Sequence, residues 1–266
     1  MIKNQSLKEK IYINLNKEFS NINIYTYKTI PSTNEIAKQL VLNEAKHGTV
    51  IIAEEQTSGK GRMGKSFYSP PNTGIYMSII LRENLSALNP VLITTSSCVA
   101  ICDAIYKVTG IECQIKWIND IYINKKKVGG ILAETSIDFK NKNINYLIIG
   151  IGINFNKPKF NFPTELKEIA GAIYQDNNTE VSKNKLCSEI INNILNIIPK
   201  INNYDFISEY KKRSLILNKE ILYIINNIKY KGKAIDINKD GYLIVKHNDG
   251  SIKTLNSSEI TIRMLN

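Results

Sequence analysis

Apolar positions along this chain change their period from stretch to stretch, and the changes mark out its elements. Leu7, Ile11, Leu15 and Phe19 recur at helical spacing, and an extended Ile24-Tyr25-Thr26-Tyr27 follows them. Ile36, Ala37, Leu40 and Val41 form the next helical face, and Ser32 with Glu35 ahead of it fits a capping box. Thr49 to Ala53 and Ile75 to Leu81 are unbroken, β-branched runs of the kind that make buried strands. Asn89-Pro90 opens a core helix carrying Leu92, Val99, Ile105 and Val108, and Gly110 closes it. Ile115–Ile123 and Lys127–Glu134, joined by a turn at Asn124–Lys126, predict a hairpin, and Tyr146–Asn156 predicts a further strand. Ser182 can cap a helix through Leu186, Ile190, Ile194 and Ile198 that ends at Pro199, and a short helix runs from Asp205 to Lys212.

From Asn218 the period drops to that of half-buried strands. Glu220–Ile225, Ile228–Ile237, Tyr242–Lys246, Ser251–Leu255 and Glu259–Arg263 alternate with turn chemistry at Asn226-Asn227, Lys239-Asp240-Gly241 and Asn248-Asp249-Gly250. Short strands at that spacing predict a small barrel. The expected division is a larger domain over residues 1–216 and a barrel over 217–266.

One stretch fits no regular element. Gln56 to Phe67 interleaves Gly59, Gly61 and Gly64 with Lys60, Arg62 and Lys65, directly after a core strand. Glycine lets backbone N–H groups approach a ligand closely, and cations around them make an anion site. It is neither a Walker A loop nor a Rossmann fingerprint, because the required Ser/Thr and the following helix are missing. Two more polar interruptions fall between apolar strands: Lys116-Trp117-Ile118-Asn119-Asp120, and Gly129-Gly130 beside Lys127. Paired glycines weaken a strand unless something approaches closely. Thr33 and Asn34, at a helix start, offer neutral hydrogen-bonding groups suited to an uncharged polar ligand head.

The chain has 266 residues and a formal charge of +11. The excess is spread along the chain among acids, which favours a solvated basic surface over a nucleic-acid groove. Four cysteines show no paired or zinc-like spacing, fitting a reducing cytoplasm. No apolar run reaches the roughly 18 residues that suggest a membrane span, and no signal peptide is evident.

Ser32-Thr33-Asn34, the Gly-Lys-Gly-Arg-Met-Gly loop, Lys-Trp-Ile-Asn-Asp, Lys-Val-Gly-Gly-Ile-Leu and Gly-Ile-Gly-Ile-Asn resemble, in order and spacing, the biotin–protein ligases. The resemblance implies an α+β fold: a mixed central β-sheet flanked by helices, of the class II synthetase-like biotin/lipoate ligase type, with a C-terminal SH3-like barrel. It implies a ligase that activates biotin with MgATP to biotinyl-5′-AMP and transfers it to a lysine of a biotin carboxyl carrier domain of acetyl-CoA carboxylase or a related carboxylase. Ser32, Thr33, Asn34 and Gln56 would hold the neutral ureido head, and Lys60, Gly61, Arg62 and Lys127 the carboxyl end. Arg62, Lys65, Phe67, Lys116, Asn119, Asp120, Lys127 and Asn154 would serve ATP, with Lys127 and Arg62 catalytic. No metal ligand set is assigned, although Asn119, Asp120 and Asn154 stand where the nucleotide's magnesium would be served.

The chain departs from the family pattern at Lys60 (usually arginine), Ile118 (usually proline) and Phe67 (usually tryptophan). A monofunctional form without a DNA-binding repressor head is expected, cytoplasmic and possible as a homodimer, with no nucleic-acid or membrane partner. A lipoate–protein ligase of the same fold is the enzymatic alternative, and a basic nucleic-acid-binding module is the distant one.

Overall fold

A computed structural model describes residues 5–82, 89–138, 143–176, 181–203, 205–225, 227–256 and 261–264. Its main sheet has seven strands: β1 (Ile24–Ile30), β2 (Thr49–Gln56), β3 (Gly74–Leu81), β4 (Gln114–Lys116), β5 (Asp120–Ile123), β6 (Lys126–Asp138) and β7 (Asn143–Asn154). They lie in the order β1-β2-β3-β7-β6-β5-β4, with β1 and β2 parallel and the other neighbours antiparallel. The mixed sheet flanked by helices is as the sequence predicts.

The helices divide between its faces. Alternation along the strands sends Val50, Ile52, Met77, Ile79, Ile149 and Ile151 to one side, into a core shared with α3 (Pro90–Thr109), α4 (Lys183–Ile197) and α5 (Phe206–Lys212). It sends Ile51, Ala53, Ile80 and Ile148 to the other, where α2 (Thr33–Leu42) lays down Ile36, Ala37 and Val41. The N-terminal α1 (Gln5–Tyr12) packs on α4. Asn89 Oδ1 accepts from Val91 N at 2.9 Å to start α3, and Gly110 at φ 72° ends it. By length and composition α3 could cross a membrane, contrary to the expectation that no such run exists. Instead 78% of its apolar window is buried inside the protein, between the sheet and its helical neighbours. Cys98, Cys102, Cys113 and Cys187 are all buried and free, and burial drives the Cys187 thiol pKa up to about 12.

Two local expectations need correction. The Ile115–Ile123 run is two strands: the chain reverses at Trp117-Ile118-Asn119, so Lys116 pairs with Asp120 across a tight turn whose Trp117–Ile118 peptide is cis. The polar residues of that stretch are the turn. The capping box also does not form: Ser32 makes no side-chain cap. Gln56 Oε1 accepts from Thr33 N at 2.8 Å in its place, and Glu35 turns away to Lys60 and Lys38.

β8 (Glu220–Ile225), β9 (Ile228–Ile237), β10 (Leu243–Lys246), β11 (Ile252–Leu255) and β12 (Thr261–Met264) make a second, antiparallel sheet in the order β11-β10-β9-β8-β12. Asn226 and residues 257–260, which carry one expected turn and the start of the last expected strand, lie outside the described residues. This smaller sheet shares its buried Ile237, Leu243 and Ile262 with the main core.

Candidate active site

On the α2 side, the sheet is missing its side chains in one place. Gly150 and Gly152 of β7 and Gly130 of β6 lie in adjacent register there, with Gly130 opposite Gly152 and Leu132 opposite Gly150. The bare backbone is the floor of a cavity of about 660 Å³, within the size range of small-molecule sites. One wall is the start of α2, another the glycine loop, and the far end the Lys116–Asp120 turn. The glycines are needed because side chains already fill their space. A Cβ on Gly150 would collide with the Asn34 amide, and one on Gly152 would lie 2.6 Å from Phe67.

The α2 end is neutral and tightly networked. Ser78 Oγ donates to Asn34 Oδ1 at 2.5 Å and lies 2.8 Å from Thr33 Oγ1, and Gln56 Oε1 accepts from Thr33. Asn34 Nδ2 donates to Glu134 at 2.6 Å, and Lys38 reaches the other oxygen of that carboxylate at 2.8 Å. Ser78 and Glu134 were not legible as site residues, since each reads as an ordinary strand position. Buried amides need their partners held in place. Glu134→Gln should therefore weaken the binding of a small molecule at this end of the cavity roughly threefold to tenfold, the worth of one hydrogen bond, while leaving binding at the far end nearly unchanged. A binding titration checks this.

The opposite end is cationic. Arg62, Lys65, Lys116, Lys125 and Lys127 line the cavity there, set against Asp120 and Glu168. Lys127 Nζ sits 2.6 Å from Asp120 Oδ1, half-buried. Its direction comes from a bulge. Ile121 pairs with Gly129 and Tyr122 with Lys127, so Val128 has no partner on β5. The extra residue sends Val128 into the core and brings Lys127 to the cavity face. Gly130 leaves room for it: a Cβ there would lie 3.4 Å from Lys127 Nζ. Arg62 donates to Asn119 Oδ1 at 3.2 Å, and Asn119 donates to Ile131 O at 2.9 Å. Burial lowers the Arg62 pKa and Asp120 raises it in part, yet an arginine stays charged throughout the physiological range.

The loop is clipped at both ends. Lys60 Nζ meets Glu35 at 2.5 Å, and this contact, then Lys38, holds the Glu35 carboxyl below its ordinary range. At the base, Phe67 N donates to Gly59 O at 2.8 Å, while Gln56 Nε2 donates to Ser69 Oγ and Ser69 Oγ to Phe67 O.

Ser32, Thr33, Asn34, Gln56, Lys60, Gly61, Arg62, Lys65, Phe67, Lys116, Asn119, Asp120 and Lys127 all line this one cavity. Asn154 does not. It is buried, and its amide donates to Gly171 O at 2.9 Å, tying down the 166–171 segment that supplies Leu166, Glu168 and Ile169 to the wall. That segment also pairs with the Lys127 backbone through Ile169 O and Gly171 N. Nothing in its composition marks it as part of a site. Ile262 of the C-terminal sheet reaches the same cavity. Among the described residues no cluster of three or more His, Cys, Asp or Glu could hold a metal ion by itself.

The family model described as Biotin/lipoate A/B protein ligase family matches residues 26–154, and that described as Biotin protein ligase C terminal domain matches residues 216–263. The chain is 31% identical over 260 residues to the Bifunctional ligase/repressor BirA of Bacillus subtilis, an alignment spanning 95% of this chain and 78% of that protein. It is 26% identical over 187 residues to the biotin–acetyl-CoA-carboxylase ligase of Mycobacterium tuberculosis, spanning 65% of this chain and 64% of that one. Among solved structures, the biotin protein ligase from Aquifex aeolicus in complex with biotin and ATP matches with a TM-score of 0.79 at 26% identity, over 91% of this chain and 99% of the other. A cavity neutral at one end and cationic at the other, in this fold and with these relatives, identifies the chain as a member of the biotin protein ligase family.

Proposed function

We propose that the cavity holds biotin with its ureido head at Thr33, Asn34 and Gln56 and its carboxylate at Lys127 and Arg62. ATP lies over the cationic end, against Lys65, Phe67, Lys116, Asn119 and Asp120. The observation carrying this reading is the polarity gradient along a single floor: neutral donors and acceptors where a ring needs them, cations where a carboxylate meets phosphates.

The reaction is the family's. The biotin carboxylate oxygen attacks the α-phosphorus of ATP, an O–P bond forms, and pyrophosphate leaves with the electrons of the bond that breaks. A carrier lysine amine then attacks the acyl carbon of the mixed anhydride, and AMP departs. In phosphoryl transfer a protein mainly positions groups and neutralises spreading charge. Lys127, aimed by the Val128 bulge and oriented by Asp120, does so at the attacking carboxylate. Arg62, oriented by Asn119, does so at the phosphate.

Magnesium fits this donor set. It keeps several waters and commonly takes one or two protein carboxylates beside phosphate oxygens. Asp120 would be the carboxylate to hold it, and the ion would supply charge neutralisation for the departing pyrophosphate. Asn154 acts from behind the wall, through the 166–171 segment. The acceptor is a biotin carboxyl carrier domain of a carboxylase, in keeping with the acetyl-CoA-carboxylase ligase named among the relatives. Four buried free thiols suit a reducing cytoplasm. Residues 1–216 form the catalytic part and 217–266 the appended domain.

Pyrophosphate release from ATP, measured with biotin, with lipoate and with neither, tests the reading. Release that depends on biotin is expected. Release with lipoate alone assigns the enzyme to the sister activity, and no release with either acid overturns both.

A further inference from the structure

The Lys116–Asp120 turn is gripped at consecutive residues by different parts of the molecule. Ile118 O accepts from Tyr210 Oη at 3.0 Å and from the Cys98 thiol at 3.6 Å. Asn119 is held by Ile131 and Arg62. Trp117, by contrast, is held from the C-terminal domain: its indole Nε1 donates to Gly241 O at 2.9 Å. Trp117 is only 5% exposed, and an indole N–H has one hydrogen to give and no acceptor role to fall back on.

The carbonyl that receives it is built into a rigid turn. Asn238 Oδ1 accepts from Asp240 N at 3.0 Å and Tyr242 N at 2.9 Å, and Asn238 O accepts from Gly241 N at 3.0 Å. Gly241 adopts φ 78°, and a Cβ there would lie 2.8 Å from Val91 and 3.3 Å from Thr95 on α3. Only glycine suits both demands. Asn89 Nδ2 reaches Asp240 O at 3.3 Å, so the turn is wedged between the start of α3 and the Trp117 ring. Lys211 pairs with Asp236 at 2.6 Å close by in the chain.

We propose that the C-terminal domain is a positioning element of the nucleotide half of the site, with the Gly241 carbonyl, through the Trp117 indole, setting the turn that presents Lys116, Asn119 and Asp120 to ATP. The proposal rests on the reading that this turn serves the nucleotide. Trp117 and Asn238 are therefore positioning residues, and the appended domain contributes to adenylation as well as to any later contact with the carrier.

Two variants test it. Trp117→Phe keeps an aromatic ring but removes the donor together with part of the ring volume, so Asn238→Ala is the cleaner of the two. Asn238→Ala loosens the Gly241 turn without touching the cavity. Each should raise the ATP KM about fivefold to tenfold, as loss of one ordinary hydrogen bond allows, with the biotin KM within about twofold of wild type on the same grounds. Because Trp117 is the chain's single tryptophan, Asn238→Ala should also shift its fluorescence to the red. Asn238→Ala that shifts the emission while the ATP KM stays at the wild-type value overturns the proposal, as does an equal rise in both KM values. Should Trp117→Phe fail to fold, Asn238→Ala decides alone. Failure of the parent reading is seen separately, as a wild type that releases no pyrophosphate with biotin. ATP titration of the Trp117 emission then decides: weaker binding by Asn238→Ala upholds the coupling, and equal binding overturns it.

Discussion

Lys127→Ala should lower biotin-dependent pyrophosphate release by about a hundredfold to a thousandfold, the usual loss on removing one preorganised donor at a developing charge. The physical case lies in how the side chain is delivered. The unpaired Val128 brings Lys127 to the cavity face, Gly130 leaves space beside its Nζ, and Asp120 fixes it at 2.6 Å. Truncation removes the cation and leaves Asp120 unbalanced where negative phosphates must come, so two effects act in the same direction. Stability should change little, since the Lys127–Asp120 pair keeps part of its surface in solvent and such pairs contribute modestly. The decisive comparison is between half-reactions. Transfer to the carrier from supplied biotinyl-5′-AMP involves no attack at phosphorus and should fall much less. Equal losses in both steps would show that Lys127 acts on the fold of the site and not on the adenylation.

Gly150→Ala should abolish tight biotin binding while most of the fold survives. The added methyl would occupy the position of the Asn34 amide, and Asn34 has no room to retreat: it is 3% exposed and bonded to Ser78 at 2.5 Å and Glu134 at 2.6 Å. Either that network breaks or β7 moves away from α2. Overpacking of this sort costs about 1–3 kcal/mol, a drop visible as a lower melting temperature. The biotin KM should rise at least about tenfold, equivalent to roughly 1.4 kcal/mol, with the ATP KM less affected because Gly150 faces the neutral end. Calorimetric biotin titration and a melting curve separate the two effects. Normal biotin affinity in a destabilised protein would remove Asn34 from the binding role assigned to it.

Much of this was legible from local chemistry. Pro90 and Gly110 bound the long helix correctly, the isoleucine runs became the central strands, and the alternation after Asn218 became the second sheet. The cavity residues in glycine-interrupted motifs could be picked out because a glycine in a strand, or a cation in a turn, violates what packing alone would choose. What stayed hidden depended on long-range register. The bulge at Val128 exists only relative to β5, and no neighbouring residue signals it. Asn154 follows glycines just as the true cavity residues do, yet its amide is taken up by Gly171 O because the 166–171 segment crosses there. Ser32 and Glu35 have the composition of a capping box, but Gln56, distant in sequence, accepts from the first α2 N–H, that of Thr33. Lys60 then draws Glu35 away.

The glycine loop touches both halves of the cavity: Lys60 is clipped to α2 beside the neutral end, while Arg62 and Phe67 face the cationic one. A segment shared in this way links two occupancies thermodynamically. A substrate that narrows residues 60–67 to a single arrangement bears the entropy of doing so, and a second substrate then finds them already placed. The resulting cooperativity is symmetric: the factor by which nucleotide tightens biotin equals the factor by which biotin tightens nucleotide. Binding order then becomes a matter of the two substrates' concentrations and not of a fixed sequence.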